Sequence, residues 1–153
     1  MHFLETRIPA PIVAGLIGAA MKWYALRQGI VMDPTPLQMY LGIGLAQLSA
    51  LIVLAAVYRM WRARTTINPM KPARATTLVT SGVFRFTRNP MYLSLLLLVV
   101  AYATRLDSLA VWIAPVVFLA YVTRFQIIPE ERILQQKFGA AFDAYRAGTR
   151  RWI

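Results

Sequence analysis

From Pro34 to Tyr58 the chain carries no charged side chain. Wound as an α-helix rising about 1.5 Å per residue, a stretch of that length crosses a hydrocarbon core of about 30 Å. Composition agrees with a bilayer setting. The 153 residues are 58% hydrophobic and only 15% charged, with a mean hydropathy of +0.52, more apolar than a soluble domain of this size needs. The expectation is an all-α integral membrane protein in a single domain 1–153, with about four transmembrane helices.

The remaining spans are placed by the same logic. Ile8–Met21 is uncharged and its apolar character continues past Lys22, whose stem can snorkel, to Leu26; this predicts a helix over 8–26. It is too long and too aromatic at its end to read as a cleaved signal peptide. The long uncharged run predicts a second helix over 37–58, entered through the turn Asp33-Pro34-Thr35-Pro36. Two shorter apolar runs follow, predicted as helices over 89–104 and 108–128. The polar turn Arg105-Leu106-Asp107-Ser108 joins them into a hairpin too short to span without thinning the bilayer. After Pro129, the residues Leu134, Phe138, Ala141, Phe142 and Tyr145 recur at helical spacing among charges. They predict one amphipathic helix over 130–147, with Glu130 and Glu131 suited to its positive end.

Charge sets the orientation. Seven of the seventeen basic residues lie in the loop 59–88, which holds no acidic residue. The tail from Arg124 adds six basic residues against three acidic ones, whereas the opposite loops hold Arg27 with Asp33 and Arg105 with Asp107. By the positive-inside rule both termini face the cytoplasm. The net charge of +11 is then explained by topology and attraction to anionic lipid, with no nucleic-acid partner.

There is no cysteine, so thiolate nucleophiles and Cys-ligated metals are excluded. The single histidine is His2, at the N-terminus, which argues against a His-based metal site or a Ser-His-Asp triad. Two clusters remain. In Thr80–Tyr92, Asn89-Pro90 starts a helix at the membrane surface, with free N–H groups and a positive dipole, and Arg88 adds a cation: a seat for a carboxylate or phosphate, or simply a capped helix with basic anchors. The other is Arg124 with Pro129-Glu130-Glu131-Arg132. Adjacent carboxylates beside a bilayer need partners, which would be ribose hydroxyls, a cationic ligand or the loop arginines; a plain helix-start charge pattern is the alternative.

The pattern Gly82-x-Phe84-x-x-x-Arg88-Asn89-Pro90-Met91-Tyr92, then a hydrophobic hairpin, Glu130-Glu131, Phe138-Gly139 and Tyr145 resembles the isoprenylcysteine carboxyl methyltransferase family, which also includes the phospholipid N-methyltransferases. The resemblance covers residues 65–153. It implies an S-adenosylmethionine-dependent enzyme, of a small type expected in the bacterial inner membrane. Its cofactor pocket would be lined by Gly82, Arg88, Asn89, Pro90, Tyr92, Glu130 and Glu131. Arg88 would take the cofactor's carboxylate, one glutamate its ribose hydroxyls or ammonium, and Tyr92 would pack near the sulfonium or adenine. Methyl transfer from a sulfonium needs positioning more than covalent catalysis, here by Asn89, Tyr92 and Glu131.

The acceptor would be lipophilic and enter from the bilayer, with Arg124, Phe138 and Phe142 as its contacts and Leu134 in the same apolar wall. Two departures stand out. Members acting on prenylated proteins have histidine where this chain has Asn89, which cannot carry a proton. Arg124 is also off the expected spacing from the glutamates. The rival readings are an NADPH-dependent membrane reductase with a similar hairpin and a non-catalytic membrane subunit. The identity of the acceptor and the oligomeric state stay open.

Overall fold

The structure is a computed structural model that describes residues 8–30, 34–64, 76–106 and 108–153. His2, Asp33, Asp107 and the middle of the basic loop lie outside the described residues. All regular structure in the described residues is helical. Helix α1 is Ala10–Arg27 and α2 is Pro36–Arg62. Pro36 suits the first turn of α2, and Thr35 and Gln38 close a reciprocal cap: the Thr35 N–H donates to Gln38 Oε1 at 2.8 Å and the Gln38 N–H to Thr35 Oγ1 at 3.3 Å. The helix runs past the expected end at Tyr58, because Arg59 and Arg62 complement its negative end and no breaker intervenes.

A 3-10 turn, Gly82–Arg85, leads to α3, Pro90–Ala103. A second 3-10 turn, Leu109–Trp112, opens α4, Ile113–Val122, which passes through a wide π-turn, Thr123–Ile127, into α5, Ile128–Phe138. Leu109–Phe138 is therefore one continuous rod of 30 residues. Two sequence expectations are corrected here. The chain does not stop and restart at Pro129: a proline ring inside a helix clashes with the carbonyl four residues back, here Phe125, and the π-turn widens the helix at that point. The second limb of the hairpin is accordingly long, not short. The single amphipathic helix over 130–147 is instead two pieces, since the chain turns at Gly139 (φ 49°) before α6, Ala140–Gly148.

Helix α3 sits centrally, packed on α1, α2 and α4. Its pairing with α2 is antiparallel and close. A Cβ on Gly42 would lie 3.0 Å from Thr104 Oγ1 and 3.1 Å from the Ala101 carbonyl, and the buried Ser49 hydroxyl donates to the Ser94 carbonyl at 2.7 Å. Ser49 satisfies the rule that interior polar groups find partners; the fully buried Gln126 does so with its amide nitrogen, which donates to the Ile8 carbonyl at 2.7 Å, while its Oε1 is buried without a hydrogen-bond partner.

Apolar surface faces outward on a scale that water does not tolerate. Leu37, Leu51, Leu54 and Trp61 on α2, and Leu109, Ile113 and Val116 along the rod, are all at least 64% exposed. Among the described residues, two helices, Pro36–Arg62 and Leu109–Phe138, are long and apolar enough to cross a membrane; α3 is apolar but, at 14 residues, shorter.

Candidate functional site

The helix ends gather the chemistry. The start of α1, the end of α2, the start of α3 and the α4–α5 junction lie at one end of the molecule, as the Ile8–Gln126 bond and the packing of Arg59 on Gly82 record. Arg59, Arg62, Arg85, Arg88 and Arg151 therefore share this basic end, while Arg27 and Arg105 close α1 and α3 at the other.

The two glutamates are brought to the start of α3, and each is held differently. The Tyr92 hydroxyl, one helical turn after Arg88, donates to Glu130 Oε2 at 3.1 Å. Glu131 is clamped by two arginines. Arg88 Nη2 meets its Oε1 at 2.8 Å, and Arg151 reaches both oxygens, Nε to Oε1 at 3.1 Å and Nη2 to Oε2 at 2.7 Å. The Arg88 and Glu131 side chains are only 10% and 12% exposed, so the pair is shielded from water; Arg151 is 37% exposed. The Glu131 hydrogen bond holds the Arg151 guanidinium above its ordinary value, against the opposing effect of its partial burial.

The C-terminal residues lace this site together. The Arg88 N–H donates to the Arg150 carbonyl at 3.0 Å, and Asn89 Nδ2 donates to the Arg151 carbonyl at 2.9 Å. Buried Thr87 receives the Asn89 N–H at 3.1 Å and donates to the Arg151 carbonyl at 3.3 Å. Arg88 Nη1 reaches the Thr149 carbonyl, and Trp152 Nε1 donates to Thr123 Oγ1 at 3.2 Å. The Tyr145 hydroxyl donates to the Phe84 carbonyl at 2.7 Å, tying α6 to the turn before α3; burial raises its pKa well above the ordinary phenol value.

The structure thus brings Arg88, Asn89, Tyr92, Glu130 and Glu131 into one cluster, with Pro90 buried at the start of α3. Gly82 stands at φ 65°, where a Cβ would collide with the Arg59 guanidinium, so glycine is demanded there by backbone and neighbour together. Arg124 lies in the π-turn with its guanidinium 5.4 Å from the centre of the Phe125 ring. Phe142 is 1% exposed and packs edge-on to Tyr145 at 6.4 Å; the turn at Gly139 separates it from Leu134 and Phe138, which are half-buried on α5. The face expected to be one wall on one helix is divided between two helices.

Sequence reasoning missed Thr87, Thr149, Arg151 and Trp152. The basic pair Arg150-Arg151 was the one available signal, and it counted only toward topology.

Two groups of this cluster keep unused hydrogen-bonding capacity among the described residues. Arg88 Nε is buried without a hydrogen-bond partner, and the hydrogen bonds found to Glu130 use only its Oε2, leaving acceptor capacity on the carboxylate. A ligand carrying a carboxylate together with an ammonium or hydroxyl groups could be held by such a pair.

Comparison with known proteins adds the lineage. A 63-residue protein of Haemophilus influenzae, described as uncharacterized, is 38% identical over 63 residues, which is 41% of this chain and the whole of that protein. No solved structure matches. The family profile of the phospholipid methyltransferases matches residues 37–141, from the start of α2 through the central helix and both glutamates into α6. The chain belongs to the phospholipid methyltransferase family.

Proposed function

We propose that this protein is an S-adenosylmethionine-dependent methyltransferase of the bacterial inner membrane, acting on a lipophilic acceptor at the cytoplasmic interface, with about four spans and both termini in the cytoplasm. The observation that carries the reading is the pair of adjacent carboxylates at the start of α3, Glu130 held by Tyr92 and Glu131 held by two arginines. Family membership supplies the reaction class, and the exposed apolar faces of α2 and α4 support the membrane setting.

The bound cofactor supplies an electrophilic methyl group on a sulfonium. The chain's part is to bind, orient and hold protons. Arg88 would take the cofactor's carboxylate; its Nη2 and Nη1 are on Glu131 and the tail, and its Nε is without a hydrogen-bond partner. Glu130 holds the ammonium or ribose hydroxyls, oriented by the Tyr92 hydroxyl. Glu131 is braced on both oxygens, so it positions Arg88 rather than contacting ligand. Asn89 is tied by its amide nitrogen to the tail and closes the site beside Pro90. Gly82 keeps the loop before α3 in the conformation that delivers Arg88. Phe138 and Leu134, half-buried, border the acceptor's path from the bilayer, with Arg124 at its rim and Phe142 supporting from below.

The direct test is calorimetry on detergent-purified protein. S-adenosylmethionine or its homocysteine product should bind, and NADPH should not. Transfer of labelled methyl into a membrane lipid extract should follow. Binding of NADPH alone, or of neither cofactor, defeats the proposal.

A further inference from the structure

Away from the glutamate cluster, the end of α2 and the segment before Gly82 border an open cleft of about 300 Å³ lined by Arg59, Arg62, Ala63 and residues 77–81, among them Thr77, Thr80 and Ser81. None of these residues takes part in the Arg88–Glu131–Arg151 clamp or the Tyr92–Glu130 bond. Arg59 and Arg62 lie one helical turn apart, and Arg59 is kept at the cleft by packing on Gly82. Neither guanidinium is ion-paired to a carboxylate among the described residues, and the surrounding stretch 59–88 has no acidic residue.

Two guanidinium groups and hydroxyls lining one cleft suit a phosphate, since each guanidinium offers a planar fork of donors to oxyanions and hydroxyls add neutral ones. The surroundings say what carries the phosphate. Leu54, Tyr58 and Trp61 lie along one face of α2 and are 65%, 51% and 70% exposed, so the helix surface leading to the cleft is apolar and ends in an aromatic pair typical of the headgroup level. The Arg62 guanidinium stands 6.0 Å from the centre of the Tyr58 ring, which places it at the border between that lipid-facing strip and the cleft. A soluble phosphate would use the arginines and hydroxyls alone. A phospholipid would use these and the strip together, with its tails along Leu54 and its phosphate between the arginines.

We propose that this cleft is a binding site for the phosphate of an anionic phospholipid, separate from the cluster that carries the methyl-transfer reading. Contact between Arg59 and Gly82 joins its floor to the loop that positions Arg88. The lipid held here would therefore steady the loop without being the methyl acceptor.

The test is lipid retention, which stands apart from any methyl transfer. Full-length protein is equilibrated in nanodiscs of equal phosphatidylcholine and phosphatidylglycerol, and tightly bound lipid is counted by native mass spectrometry. Wild type should retain phosphatidylglycerol over phosphatidylcholine. Arg62→Gln should lower that retention by about tenfold, the factor that loss of one charge-assisted hydrogen bond is worth. The double variant with Arg59→Gln should lower it further; if loss of the Arg59 packing unfolds that protein, the exposed Arg62 variant decides alone. Arg85→Gln, in the same basic stretch but outside the cleft, should retain lipid as wild type does. Excess inorganic phosphate should fail to displace the lipid. An absence of preference, an equal loss in Arg85→Gln, or full displacement by inorganic phosphate would each overturn the proposal, the second in favour of diffuse attraction and the third in favour of a free anion.

Discussion

Tyr92 on α3 and Glu130 on α5 are joined by a single hydrogen bond of 3.1 Å, and that bond links the central helix to the rod at the level of the ion cluster. Tyr92 is buried, so its hydroxyl has little else to bind. Tyr92→Phe keeps the ring and removes the bond. The expected cost in stability is about 1 kcal/mol, the usual net worth of one intramolecular hydrogen bond, seen as a lower melting temperature in detergent. Methyl transfer should fall by a larger factor than the melting shift explains, because Glu130 loses its orientation. Unchanged turnover would remove Glu130 and Tyr92 from the site.

The two arginines on Glu131 differ in exposure, and their removal should differ accordingly. Arg88→Ala leaves a shielded carboxylate with one partner fewer and frees the tail carbonyls it reaches. Loss of one partner from a buried pair costs about 3–5 kcal/mol, and this pair, slightly exposed, should fall near the lower bound. Arg151→Ala removes a partner 37% exposed and should cost about 1 kcal/mol or less. Chemical denaturation of both variants and of the double variant closes the cycle; equal costs would contradict the burial difference.

Cofactor affinity provides a separate measure. Arg88→Ala should weaken S-adenosylmethionine binding by about 1.5–3 kcal/mol, the scale of a hydrogen bond to a charged group. Glu131→Gln should weaken it less, since Glu131 acts through Arg88. If neither variant changes the calorimetric affinity, the pocket lies elsewhere.

The two positive-φ glycines of the site region should respond differently to alanine. At Gly139, φ is 49° and nothing lies within 4 Å of an added Cβ, so Gly139→Ala should cost only backbone strain, about 1–3 kcal/mol. At Gly82, φ is 65° and the added Cβ meets Arg59 as well, so Gly82→Ala should cost more and should also reduce activity through the loop carrying Arg88. Melting and turnover measured on both variants compare the two directly.

Entry of the acceptor from the bilayer predicts a dependence on tail length. Each CH₂ kept in apolar surroundings is worth about 0.8 kcal/mol, so apparent affinity in nanodiscs should rise along a series of acceptors with one head group and lengthening tails. Equal methylation of short, water-soluble acceptors would show that they arrive from the aqueous side. Orientation is checked by reporter fusions: those after Arg64 and Ile153 should report the cytoplasm, and those after Gly29 and Ser108 the opposite side.

What the sequence determined by itself is local and periodic. The uncharged run 34–58 demands a helix with apolar surface on nearly all sides, and α2 has that surface. Asn89-Pro90 starts α3 where the proline's missing N–H is harmless, and the motif through Tyr92 with the glutamate pair pointed to the family that the profile match shows. Tertiary structure decided what depends on residues far apart in the chain. Whether Pro129 breaks a helix or rides in a widened one depends on the π-turn at Thr123–Ile127, which no local propensity encodes. Gly139 can lie inside a helix or end it, and here the Tyr145 bond to the turn before α3 and the burial of Phe142 go with a chain that turns at Gly139. The second arginine on Glu131 comes from the tail, twenty residues on, and is set by long-range hydrogen bonds to Thr87, Arg88 and Asn89 rather than by spacing. Charge patterning could show that Arg151 belongs at the basic end, but only the packed helices could bring its guanidinium onto both oxygens of one carboxylate.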